Sequence, residues 1–591
     1  MKVDLVSPDD GAYDSAYCLL KFSLNGQNVW IIGADAILHG LVKNAALRAG
    51  YLDRATIGAI YRDVPGHYAF IIRFGQRTVA ATDPYGIIKL YWLRTGSASV
   101  LCDAPAELAG AAVTLDREAI KFFLVCGYTP GKHTFFQNIE KLEPCRVYEF
   151  EGGRLVAANT YARFGGEKSS GAAFLDRFFE CMGASLDIYL KHYARGSLFL
   201  SGGIDSSFLY QLLKHKNRGE WAELFVGRLE GLNQPHKIDN DCDIEYSNRL
   251  AGEDGRSVTI AGYDFRDGQA LDDFIALRDI LFADYAPAMA YMGMARAVPE
   301  DQVIVNGQNA DSVLSFGSMG SPRFQSGSVT GLHGFFSRYF FFFGHRPNAS
   351  AAYASARLLR WAYYRRLAPS LRPTFSDRSY FLGIGLHPQN DDYVRTDPVF
   401  RALHRPDVMA DWFEEHYLKP LQDEFGGLDH HARSVILYNR TYMQGSANRS
   451  TVVSALVQKR KVFLPFSCLS LLELMTSLQP DWRYAYYGKY PNLAVGRRLG
   501  LPKYVIDRCD PNNSDSSSLL YRALLANVEF GAFFRKIIAE IDWGRYAAIL
   551  DSRLIARLRA SQKDANAPAS DVSLLLKLAW LESTIQKFWL V

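Results

Sequence analysis

The chain has 591 residues, 48% hydrophobic and 22% charged, with 66 lysines and arginines against 62 aspartates and glutamates, a formal charge of +4. That length exceeds a typical single domain and predicts two or three with ample core, while the near-balanced charge gives no bulk electrostatic case for a nucleic-acid or anionic-membrane partner. Eight scattered cysteines with no CxxC pair show no spacing that suggests a disulfide framework or a zinc site, and fit free thiols in a reducing compartment.

Met1 to Leu5 lacks the basic-then-apolar order of a signal peptide, and there is no apolar run of about 18 residues that would span a bilayer. A cytoplasmic protein with no membrane span is expected. Up to about residue 160 the pattern is alternating and β-branched, with strands expected at Cys18 to Phe22, Asn28 to Ile32, Tyr68 to Phe74 and Val79 to Thr82. Val64-Pro65-Gly66-His67-Tyr68-Ala69-Phe70-Ile71-Ile72 followed by Ala80-Ala81-Thr82-Asp83-Pro84-Tyr85-Gly86-Ile87-Ile88-Lys89-Leu90-Tyr91-Trp92 reads as a hairpin. In order and spacing this passage, with Ala119 to Phe150 after it, resembles class II glutamine amidotransferase domains. The resemblance implies a β-rich, Ntn-type sandwich over residues 1–165. In those domains an N-terminal cysteine thiol attacks glutamine with its own α-amine as base. Here that position is Lys2, and Cys18, within Ala16-Tyr17-Cys18-Leu19-Leu20, reads as a core thiol. A degenerate domain is therefore expected, as in β-lactam synthetases and lasso-peptide macrolactam synthetases, which use an amine already present in the substrate.

Gly165 to Gly171 is the natural linker, and from residue 172 to 591 an α/β pattern follows. A helix from about Ala172 to Tyr193 leads to the apolar run Leu198-Phe199-Leu200, then Ser201-Gly202-Gly203-Ile204-Asp205-Ser206-Ser207, then a helix. A strand ending in a glycine turn and a helix N-terminus is an anion site: free N–H groups, the helix dipole and the hydroxyls of Ser201, Ser206 and Ser207 converge on a phosphate. Asp205 would repel that anion unless a divalent cation bridged them, so it predicts magnesium. Leu224 to Leu229 is the next parallel strand, and Phe225, Val226 and Gly227 at its carboxyl end are either nucleotide contacts or plain core. A helix from Ile244 to Ala251, opening on Asp243 and Glu245, and a strand from Ser257 to Ile260 continue the alternation. Val303-Ile304-Val305-Asn306-Gly307-Gln308-Asn309-Ala310-Asp311 is a second strand running into a glycine loop.

The first of these motifs resembles the pyrophosphate loop of enzymes that split ATP between its α and β phosphates, and most of all that of asparagine synthetases. The second resembles the signature in which those enzymes carry Ser-Gly-Glu-Gly-(Ser/Ala)-Asp-Glu. The resemblance implies ATP contacts at Leu200, Ser201, Gly202, Gly203, Asp205, Ser206, Ser207, Val226, Gly307 and Gln308, and Mg2+ held by Asp205 and Asp311. This chain departs from the family at Gln308 and Ser312, where acidic residues are usual; neither can act as a general base near neutral pH, which leaves the base unassigned.

Between residues 320 and 440, Phe335 to His345 and the basic run Arg357 to Arg366 interleave aromatics with arginines. A buried helix with a snorkelling face, a peptide-binding surface and single-stranded nucleic-acid binding all fit. Val462 to Pro480, ending at Gly488-Lys489-Tyr490, resembles the synthetase run whose lysine enters the site, which implies a catalytic Lys489 balancing charge on the phosphates and the oxyanion. Arg449, Arg460 and Lys461 are further candidates for pyrophosphate contacts. The apolar segment from Val572 to Leu590 is interrupted by Lys577, Glu582 and Lys587 and reads as a docking helix.

Together these readings give an α/β protein: a degenerate glutaminase-like domain (1–165), then a parallel-sheet ATP-pyrophosphatase synthetase domain (172–591). The resemblance implies an AMP-forming carbon-nitrogen ligase, with the lasso-peptide macrolactam synthetase as leading expectation. Its partners would be a linear peptide substrate and a precursor-processing protease, with no nucleic acid. A β-lactam-synthetase-like cyclase, an ammonia-using amidotransferase and an inactive peptide-binding scaffold are the alternatives.

Overall fold

The computed structural model describes residues 2–4, 18–33, 36–94, 99–104, 108, 113–230, 239–278, 286–315, 402–403, 406–445, 447–479, 489–506, 508, 523–564 and 567–589. The expected aromatic and basic stretch from Phe335 to Arg366 lies outside them.

Two antiparallel sheets form first. One has the order β1 (Lys2–Asp4), β7 (Ser99–Cys102), β6 (Tyr91–Arg94), β8 (Ile139–Lys141); the other runs β10 (Arg154–Thr160), β9 (Arg146–Glu151), β5 (Arg77–Ala81), β4 (Tyr68–Phe74), β3 (Gln27–Gly33), β2 (Cys18–Leu24). Val29–Ile32 and Tyr68–Ile72 are continuously buried, so these central strands are covered on both faces. Trp92 of β6 meets Phe150 of β9 with ring centroids 5.1 Å apart, which joins the two sheets into a sandwich. Helices α1 (Ala36–Ala49) and α2 (Arg54–Asp63) pack beside it, Tyr61 stacking on Tyr68 at 4.6 Å, and α3 (Arg117–Cys126) sets Phe123 against Phe135 at 4.9 Å.

The hairpin expected from Val64 to Trp92 is half present. β4 pairs with β5, Phe70 opposite Ala81, but residues 82–90 turn away and β6 joins the other sheet. Asp83 makes that turn: its carboxylate accepts from the N–H groups of Tyr85 and Ile88 at 3.1 and 2.7 Å.

The third sheet is wholly parallel, β13 (Thr259–Asp264), β12 (Ala222–Glu230), β11 (Gly196–Phe199), β14 (Val303–Asn306), β15 (Lys461–Phe463). Central β11 has all four residues buried, as a strand covered on both faces must. Around it lie α4 (Gly171–His192), α5 (Ile204–His215), α6 (Asp239–Gly252), α7 (Gln269–Arg278), α8 (Ala286–Ala297) and α9 (Ala310–Ser315). In register, Phe199 lies opposite both Phe225 and Asn306, so the loops leaving β11, β12 and β14 open at one edge.

The glycine-rich join is not a free tether. Ser169 bridges Leu478 in parallel, and Lys168 donates to Thr476 O at 3.0 Å. Arg62 of α2 also forks onto Glu473 of the helix Leu469–Thr476, at 2.6 and 3.0 Å. The closing helix Ala569–Trp589 docks as expected, with Trp580 buried against Phe123 and Phe135 and Lys577 bonded to Leu124 O at 3.3 Å. Among the described residues no helix is long and apolar enough to cross a membrane.

Candidate functional site

The β11–α5 junction is built as its residue types require. Gly202 takes φ +66°, where a Cβ would lie 2.4 Å from Tyr246 Cβ, so only glycine lets the turn pass under α6. Gly203 caps α5 with no side-chain bond, which leaves the first-turn amides to an anion. Ser201 and Ser206 hydroxyls sit 3.1 Å apart beside that terminus. Gly307 of the second motif lies against it, for a Cβ there would come 3.2 Å from Ser206 N.

These loops line a cavity of about 520 Å³ together with Val226, Gly227, Met294, Tyr291 and Arg508. It is at the carboxyl edge of the parallel sheet, where open α/β sheets bind ligands. Of the expected residues, Leu200, Ser201, Gly203, Asp205, Ser206, Val226, Gly307, Gln308, Asp311 and Lys489 line it, and so do Phe225, Gly227 and Asp243. Gly202 and Ser207 do not. Gly202 faces α6, and Ser207 points into the core, where its hydroxyl is buried with no partner.

One charge cluster dominates. Lys489 Nζ donates to Asp205 Oδ2 at 2.5 Å and also pairs with Asp311 Oδ1; Asn492 Nδ2 holds the other Asp205 oxygen at 2.8 Å. Burial is the largest influence on Lys489 and pulls its pKa down, but attraction to the two carboxylates outweighs it and the pKa is raised. Burial likewise raises Asp205, against the pull of Lys489 and with the push of Asp311.

Asp205 and Asp311 thus already turn toward one cation. Two carboxylates are the donor set that magnesium takes when phosphate oxygens and water complete its shell, so these residues fit that ion. Among the described residues no group of three or more His, Cys, Asp or Glu could hold a metal by itself.

Three expected cations lie elsewhere. Arg449 is buried against the N-terminal sheets, bonding Ile87 O at 3.2 Å and Tyr91 OH at 3.3 Å. Arg460 holds Val298 O and Glu300, and Lys461 reaches Asp301 O. Lys461 opens β15 and Arg460 precedes it, at the end of the sheet away from the cavity. Besides Lys489, Arg508 enters the cavity, donating to Ser201 O at 2.8 Å and Asp243 Oδ1 at 2.5 Å.

Sequence reasoning missed Arg508, Asn492 and Tyr291. Asn492 lies one helical turn beyond Lys489, a spacing that could have been read; Arg508 has no local pattern. Tyr291 donates to Gln308 Oε1 at 3.0 Å, holding the amide where the related motif has glutamate. Asp243 of the acidic pair lines the cavity, and Glu245 does not.

In the N-terminal layer, Lys2 lies in edge strand β1. Cys102 and Cys145 are buried, donating to Ala104 O and Pro84 O at 3.2 Å each, and burial pushes the Cys145 thiol well up.

Residues 184–508, more than half of the chain, match a family model described as asparagine synthase. The chain is 24% identical over 212 residues to asparagine synthetase [glutamine-hydrolyzing] 1 of Bacillus subtilis (strain 168), covering 32% of this chain and about a third, 34%, of that relative. Similar solved structures include one titled as the allosteric regulatory enzyme of purine biosynthesis, at 13% identity over 50% of this chain and 58% of that one, TM-score 0.17. Another is the glutamine phosphoribosylpyrophosphate amidotransferase from B. subtilis with ADP and GMP, at 12% identity over 49% and 63%, TM-score 0.16. At those scores neither superposition bears on the fold.

Proposed function

The chain belongs to the asparagine synthase family, and on that premise we propose that it is an ATP-dependent, AMP-forming ligase that makes an amide bond. The observation that carries this reading is the convergence of Asp205, Asp311 and Lys489 beside an open helix N-terminus in one cavity.

A substrate carboxylate attacks the α-phosphorus of ATP, giving an acyl-adenylate and pyrophosphate. An amine then attacks the acyl carbon, and AMP leaves. The first-turn amides of α5 and the hydroxyls of Ser201 and Ser206 receive the pyrophosphate. Val226 and Gly227 border the nucleotide. Lys489 holds positive charge beside the phosphates, where it stabilises charge that develops on them. Asp205 and Asp311 would hold magnesium, which would supply charge neutralisation to the phosphates.

We further assign residues 1–165 to a glutaminase-like scaffold without glutaminase chemistry. The buried, carbonyl-bonded Cys102 and Cys145 thiols support that reading, since a nucleophilic thiol needs exposure and a lowered pKa. The amine then comes with the substrate, which favours ring closure, and the length of chain between residues 316 and 401 favours a peptide. A lasso-peptide macrolactam synthetase, working after a precursor-processing protease, is the proposed subtype.

The test is exchange of radiolabelled pyrophosphate into ATP in the presence of candidate peptides. Peptide-dependent exchange with a product lighter by one water is expected. Exchange driven only by a small amino acid points to a β-lactam-synthetase-like cyclase, and exchange with release of an amide only on adding ammonia to an amidotransferase. Absence of exchange with any carboxylate would support an inactive scaffold, the reading that Gln308 favours.

A further inference from the structure

Asn309 is the second-motif residue that stands where the related signature has its second glycine, and its backbone keeps the conformation of a glycine. Its φ is +79°, in the left-handed region that side chains rarely enter. A non-glycine residue held there costs about 1 kcal/mol or more and persists only where its surroundings over-determine it.

Three hydrogen bonds do so. The Asn309 carboxamide donates to Phe466 O and to Ser467 Oγ, both at 3.0 Å, and its Oδ1 accepts from Asn448 Nδ2 at 2.7 Å. Asn448 is itself fully buried and fixed by a second bond to Met443 O at 3.1 Å. Asn309 lies between Gln308 and Asp311, which both line the cavity, and it accepts the first helical bond of α9 from Val313 N at 2.9 Å. The next residue after Asn448 is Arg449, which grips Ile87 O and Tyr91 OH of the antiparallel sandwich. One short stretch, 448–449, thus touches the sandwich with one side chain and the second-motif loop with the other.

We propose that Asn448 is a positioning residue: through Asn309 it holds the left-handed turn that aims Asp311 at Lys489 and Gln308 into the cavity, and Arg449 references that turn to the N-terminal sandwich. The claim about function rests on the ligase reading; the claim about position does not. If the turn relaxes, Asp311 leaves Lys489 and the pair of carboxylates no longer shares a cation. Magnesium and nucleotide affinity then fall, while Asp205, held separately by Lys489 and Asn492, stays in place.

The glycine logic supplies the control. Glycine occupies φ +79° without strain, so an Asn309→Gly chain needs no side-chain tie to keep the turn. Removing Asn448 should hurt the Asn309 chain and do little further harm to the Asn309→Gly chain.

The experiment compares the wild type, Asn448→Ala, Asn309→Gly and the double variant by amide hydrogen exchange over residues 307–313 and by calorimetry with MgATP. We expect Asn448→Ala to speed exchange in that segment at least tenfold and to raise the Kd for MgATP about tenfold. The double variant should be no worse than Asn309→Gly alone, a non-additivity that general destabilisation does not produce. Unchanged exchange over 307–313 in Asn448→Ala overturns the proposal, and so do additive effects in the double variant. If the wild type binds no MgATP, the ligase reading fails and the hydrogen-exchange arm still decides the positioning role.

Discussion

The Lys489 ammonium donates to Asp205 Oδ2 at 2.5 Å across 284 residues of chain, and the same ammonium pairs with Asp311. The helix dipole favours a carboxylate in the first turn of α5, and Lys489 balances the remaining charge where Asp205 and Asp311 approach each other.

Replacing Lys489 by methionine leaves two carboxylates facing each other with no cation between them. We expect pyrophosphate exchange to fall by about a hundredfold or more, the scale of losing one charge-stabilising group. The stabilising effect of magnesium on thermal unfolding should grow at the same time, because the ion then supplies the missing charge. A melt in the presence and absence of MgCl2 checks this; an equal magnesium shift in wild type and variant counts against it.

Gln308 cannot titrate, whereas a glutamate at that position would do so beside the Tyr291 hydroxyl, which now donates to Gln308 at 3.0 Å. Gln308→Glu should therefore add an ionisation to the pH dependence of kcat that the wild type lacks. A profile of the same shape in both chains would mean that position 308 does not face the reacting amine.

His67 is fully buried with both ring nitrogens unpartnered, and burial lowers its pKa to about 3 from a reference of 6.5. The unfolded chain therefore binds a proton that the folded chain refuses. Stability from this group is complete above pH 6.5 and is lost as pH falls toward 3, by about 1.4 kcal/mol per pH unit. His67→Leu should flatten that part of the acid limb, as measured by urea unfolding at successive pH values.

The fork from Arg62 to Glu473 ties α2 of the sandwich to the helix Leu469–Thr476, and Glu473 Oε1 also accepts from Arg163 N at 2.6 Å. With both side chains mostly buried, 19% and 15% exposed, Glu473→Gln should cost about 2 kcal/mol. Arg62→Lys should cost less, since one of the two bonds survives. Denaturant titration reads both; a cost near zero would mark the pair as ornamental to the interface.

The two strand-turn-helix motifs were legible because their geometry is local: a strand end, a glycine turn and a helix start lie within about ten residues of each other. Tyr68–Phe74 was read to the residue, and Gly171–His192 within one residue at each end, because a short, nearly unbroken apolar run and a long amphipathic face are also local signals. The span from Ala80 to Trp92 was misread for the opposite reason. Its apolar residues fit a strand, but Asp83 turns residues 82–90 out of the six-stranded sheet, and β6 then pairs with β8 while Ile87 O accepts from Arg449, partners far away in sequence.

Taken alone, then, the sequence determined the α/β alternation, the strand-to-helix turn at Ser201 to Ser206 and the acidic second loop ending at Asp311, since each follows from backbone conformation and charge within a short segment. Lys489 was expected from its run, but only the tertiary structure decided which arginines reach the site. Arg449 is diverted to Ile87 and Tyr91 while Arg508 arrives beside Ser201, and no spacing encodes that difference. Long flexible cations settle where a buried carbonyl or carboxylate lacks a partner, and those partners exist only once the sheets and helices have packed.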